Sequence, residues 1–67
     1  MEDFERRVLK RIDEILRSTG QVSLKKKEAN KLVNRGFNLD RMDISVAIIS
    51  LENKGRLKRR KGKIELI

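Results

Sequence analysis

Seven of the ten residues from 54 to 63 are basic: Lys54, Arg56, Lys58, Arg59, Arg60, Lys61 and Lys63. Cations at this density do one kind of chemistry, the neutralisation of phosphates or other fixed anions. The other three residues, Gly55, Leu57 and Gly62, suggest how the charge is mounted. Gly55 reads as a helix end, Leu57 as a core-facing strand residue, and Gly62 as the apex of a tight turn. With Lys61 and Gly62 at the turn, Arg60 faces Lys63, Arg59 faces Ile64, Lys58 faces Glu65 and Leu57 faces Leu66. The leucine pair would turn to the core, and Lys58 with Glu65 would be a favourable cross-strand pair. Arg60 opposite Lys63 is two like charges at the tip, which costs stability unless an anion relieves it.

A second basic group, Lys25, Lys26 and Lys27, falls near the start of a helix, where its charge adds to the N-terminal dipole. A lysine run on a helix is equally an ordinary solvated face. Arg41, in the first turn of a later helix, can reach a phosphate or pair locally with Asp43. Catalysis finds no support. The chain has no His and no Cys, no Gly-rich phosphate loop, and no base beside a serine. The expectation is a protein that is not an enzyme, with no metal site and no cofactor. Phe4 and Phe37 are the only aromatic residues, so stacking recognition of single strands is not expected.

The chain of 67 residues is expected to form one domain, 1–67. It is 42% charged and 37% hydrophobic, with a net charge of +8. Of that excess, +6 falls in residues 54–67, whereas residues 1–17 balance to zero. Such asymmetry points to a nucleic acid or another anionic surface as partner. No apolar run approaches the roughly 18 residues of a membrane span, and the N-terminus is acidic rather than signal-like. These features lead to the expectation of a cytoplasmic protein, nucleoid-associated if it binds DNA, with no membrane partner.

The elements that position the charge follow from apolar spacing. Phe4, Val8, Leu9, Ile12, Ile15 and Leu16 recur at helical period, predicting an amphipathic helix over 3–18 that stops before Gly20. Pairs four apart, such as Glu2 with Arg6 and Asp13 with Arg17, would support it. Residues 21–24 read as a short extended piece. Ser23 is the expected N-cap of a second helix running to Arg35, with Leu24, Ala29, Leu32 and Val33 inward, Gly36 ending it and Phe37 packing back. Asp40 is the expected N-cap of a third helix, with Asp43 completing a capping box, and that helix runs to about Lys54. The hairpin follows, joined by a third strand from Val22 and its neighbours. The fold class is therefore α+β.

Residues 44–59, ISVAIISLENKGRLKR, resemble winged helix-turn-helix DNA-binding domains. The resemblance lies in a helix followed by Leu51-Glu52, two residues and Gly55, then a strand opening on Leu57 and reaching Arg59. Residues 23–37 resemble the first helix-turn-helix element of the same family. The resemblance implies three helices, a short strand after the first helix and a C-terminal β-hairpin wing. It implies double-stranded DNA as partner, with the third helix in a major groove and the wing on the backbone or minor groove. Arg56, Lys58, Arg59, Arg60, Lys61 and Lys63 would then contact the duplex, with Lys25, Lys26, Lys27 and Arg41 fixing the register and Ser45 the polar base contact. Structured RNA is a further partner that wing charge alone does not separate from DNA.

One face departs from that pattern. At about 100° per residue, Ile44, Ala47, Ile48 and Leu51 share the core side of the third helix, leaving Met42, Val46, Ile49 and Asn53 opposite. A groove reader normally brings Arg, Lys, Asn or Gln there. Three readings stand. Met42, Val46 and Ile49 are buried by the rest of the fold, or form an interface for a protein partner or a homodimer, or meet thymine methyls in a groove. Phe4, Val8, Ile12 and Ile15 on the first helix form another stripe that a second copy could share, although that helix must first cover its own core.

Overall fold

A computed structural model describes residues 3–37 and 40–67, without the side chains at 36, 37 and 41. It contains α1 (Asp3–Thr19), β1 (Ser23–Lys25), α2 (Lys26–Phe37), α3 (Arg41–Asn53), β2 (Leu57–Arg60) and β3 (Lys63–Leu66). The fold is α+β, three helices with a three-stranded antiparallel sheet of order β1-β3-β2.

α1 buries Val8, Ile12, Ile15 and Leu16, the positions its period selected. That stripe is therefore spent on the core of its own chain. Ala29 and Val33 of α2, Ile44, Ala47, Ile48 and Leu51 of α3, and Leu24, Leu57 and Ile64 of the sheet complete one cluster. Asp40 caps α3 as expected, its carboxylate accepting from the Met42 amide at 3.1 Å. Asp43 makes no reciprocal bond among the described residues.

α3 closes on Gly55, whose φ of 75° suits a residue without Cβ. The Gly55 amide donates to Glu52 O at 3.1 Å and the Arg56 amide to Leu51 O at 2.9 Å. Two orphan carbonyls are thus satisfied, and the chain is turned into β2. At the hairpin tip, Lys61 and Gly62 both have positive φ, 52° and 76°, as a two-residue type I′ turn requires. The register is the expected one throughout, from Leu57 opposite Leu66 to Arg60 opposite Lys63.

The second helix differs from expectation at both ends. Ser23 is not its N-cap: Ser23, Leu24 and Lys25 form β1, and α2 begins at Lys26. The free edge of β3 decides this, because Leu24 pairs with Ile64 and both side chains are buried. Helical propensity at three residues is a weaker preference than a ladder with a buried partner. At the other end α2 continues through Gly36 to Phe37. A helical glycine costs only about 1 kcal/mol relative to alanine, so it does not compel a stop. The expected packing of Phe37 and the pairing of Glu2 lie outside the described residues.

Candidate functional site

The basic side chains come from two stretches far apart in sequence, and the sheet joins them. Lys25 of β1 lies opposite Lys63 of β3, which lies opposite Arg60 of β2. Side chains alternate across a strand, and the neighbouring Leu24 and Ile64 are buried in the core. Lys25, Lys63 and Arg60 therefore stand in a row on the outer face, one from each strand. The next row holds Ser23, Glu65 and Lys58. The expected facing of Lys58 and Glu65 is present, yet no ion pair closes between them among the described residues.

The hairpin tip abuts the start of α2. The Lys26 amide donates to Gly62 O at 3.2 Å, which sets Lys61 beside the lysines of that helix. Lys26, Lys27, Asn30, Lys31 and Ser45 line a groove between α2 and α3. Within it, Asn30 Nδ2 donates to Ser45 Oγ at 2.7 Å, leaving the serine O–H to donate in turn. Ser45 is half-buried there. Among the described residues, Lys25, Lys26, Lys27, Lys31, Arg56, Lys58, Arg60, Lys61 and Lys63 form no ion pair.

Two basic residues of the hairpin segment serve the fold instead. Arg59 shares the core side of the sheet with Ile64, and its Nε and Nη2 donate to Glu52 Oε1 of α3 at 3.1 and 2.8 Å. A ligand phosphate would have to compete with that carboxylate. Lys54 Nζ donates to Glu5 Oε1 at 2.5 Å, bracing the end of α3 against the start of α1. Glu5 is only 5% exposed, and a carboxylate so buried requires a cation beside it. The Arg41 side chain lies outside the described residues.

The outer face of α3 is open: Met42 is 71% exposed, Val46 62% and Ile49 44%. Burial of these side chains within their own chain is therefore overturned. α1 covers one flank of α3, where Asp43 and Ser50 border a shallow groove with Phe4, while Asn30 and Arg59 engage Ser45 and Glu52 on the other flank. The strip between the flanks has no cover. Asp43 lies at its edge, where Val46 and Lys54 line the same groove, and Lys54 is held by Glu5.

Lys31 and Asn30 were not anticipated as site residues, although Lys31 lies four residues after Lys27 and so on the same helical face. Among the described residues no three His, Cys, Asp or Glu side chains converge as metal ligands, and no helix is long and apolar enough to cross a membrane. Compared with known proteins, the chain matches no family model, no curated protein and no solved structure.

Proposed function

We propose that the protein binds duplex DNA through this basic surface, as a small winged-helix protein whose wing is the β2–β3 hairpin. The order helix, strand, helix, helix, hairpin and the three-stranded antiparallel sheet agree with that layout. The observation that carries the reading is the set of basic side chains that strand pairing and the Lys26–Gly62 bond bring together from two distant stretches, none of which closes an ion pair among the described residues. Cross-strand like charges destabilise a sheet, and a polyanion converts that cost into binding energy. The reading is of a binding protein rather than an enzyme, working at the nucleoid as a weakly specific regulator or chromatin-associated factor.

Weak specificity follows from α3. Among the described residues its exposed strip offers Asn53 as the one side chain able to read a base bidentately, beside apolar side chains. The same exposed strip favours a second reading, in which Met42, Val46 and Ile49 dock a protein partner or a second copy.

A salt titration of binding to random duplex DNA, with molar mass measured by light scattering in the same buffer, tests both. Neutralising roughly six phosphates gives a log–log slope near −5. A flat dependence would remove the DNA reading, and a stable dimer lost on Ile49→Asp would favour the second. Equal or tighter binding to duplex RNA of the same length would reassign the partner.

A further inference from the structure

We infer, building on that duplex-binding reading, that the sugar-phosphate backbone lies across the outer face of the sheet, seated on Lys25, Lys63 and Arg60, and that α3 stays out of the groove. The three side chains occupy matching positions on adjacent strands and point away from the core. Adjacent strands are about 4.8 Å apart, so the row spans about 10 Å at the backbone. Each of the three cations can neutralise one phosphate of a backbone laid along the row. The row holds no acid, and its members make no ion pair among the described residues. Lys61 at the turn extends the seat, the bond from the Lys26 amide to Gly62 O brings the α2 lysines to its edge, and the adjacent row ends it, because there Lys58 faces Glu65.

The outer strip of α3 has the opposite character. Met42, Val46 and Ile49 gain nothing from phosphates, and Asp43 beside them repels a polyanion. Arg59, the basic strand residue on the inner side of the sheet, is held by Glu52 of α3. The charge that draws a duplex therefore sits on the sheet and the start of α2.

The test compares the full chain with the triple variant Lys25→Gln, Arg60→Gln, Lys63→Gln, and separately with Val46→Glu, on random duplex DNA over a salt series. The expected result is a salt slope shallower by about 2.7 for the triple variant and an affinity lower on the order of a hundredfold at 0.1 M salt. Val46→Glu should change affinity less than about threefold, the size of one remote charge under screening. Circular dichroism and a thermal midpoint no lower than wild type establish that the triple variant folds. Should it not fold, Lys63→Gln alone, at the centre of the row, carries the test with a slope change of about 0.9.

A triple variant that binds as wild type, or a Val46→Glu variant that loses binding as severely as the triple variant does, overturns the sheet seat and leaves duplex binding standing. A wild-type protein with no salt-dependent binding overturns both.

Discussion

Lys61 sits at the first central position of the hairpin turn with φ of 52°, a left-handed conformation that glycine and asparagine adopt far more readily than lysine. The residue best suited to the turn is therefore not the one present, and the one present carries charge at the tip. Lys61→Asn should raise stability by about 0.5–1 kcal/mol in urea unfolding, because the strain is relieved without loss of a contact. The same change should lower affinity for duplex DNA and make the salt slope shallower by about 0.9. Unchanged binding would mean that the tip lies off the interface. Arg59 shows the limit of reading roles from residue type. It belongs to the same basic run as Arg60, yet alternation along the strand turns it inward to Glu52 while Arg60 faces out. The sequence displayed the run, and the hairpin register already implied which of the two adjacent arginines would turn inward. The carboxylate that meets Arg59 came from another element and was not anticipated.

Element ends in this chain are governed mainly by backbone geometry. Gly55 has no atom within 4 Å of where a Cβ would stand, so a side chain there meets open space and only the φ of 75° resists it. Gly55→Ala should cost about 1–2 kcal/mol in chemical denaturation with no loss of packing. A variant as stable as wild type would contradict the left-handed closure of α3. The three helices, the hairpin and its register were all legible, because apolar period, a capping aspartate and a lysine-glycine turn each act over a few residues. The start of α2 was not. Ser23 is a good N-cap by type, and only the edge of β3, some forty positions later in sequence, recruits residues 23–25 into a strand. That recruitment also moves Lys25 from a helix face to the sheet row, so one local misassignment concealed the most ordered part of the basic surface.

At the scale of the whole molecule, a net charge of +8 is carried on a body with principal extents of 24 × 24 × 18 Å. The Debye length is about 30 Å at 0.01 M salt and about 8 Å at 0.15 M. At low salt every charge therefore acts on every other, and at physiological salt only neighbours do. Self-repulsion should dominate, because four ion pairs are described against twelve described basic side chains with none. The thermal midpoint should rise by about 4–8 °C, equivalent to about 1 kcal/mol for a domain of this size, as salt increases from 0.01 to 0.3 M. A midpoint that falls with salt would show that the ion pairs outweigh the repulsion. Added duplex DNA at low salt should raise the midpoint in the same direction, by mass action on the folded state.

The residues alone determined the amount and position of the charge, the α+β element order and the faces that each helix buries. All of these depend on interactions between positions a few residues apart, where sequence spacing is itself the geometry. The tertiary structure decided which carboxylates meet Lys54 and Arg59, that Met42, Val46 and Ile49 stay exposed, and that Lys25, Lys63 and Arg60 form one row. Each of those outcomes depends on which distant element occupies the neighbouring space. Strand pairing and helix packing set that neighbour, and no local pattern encodes it.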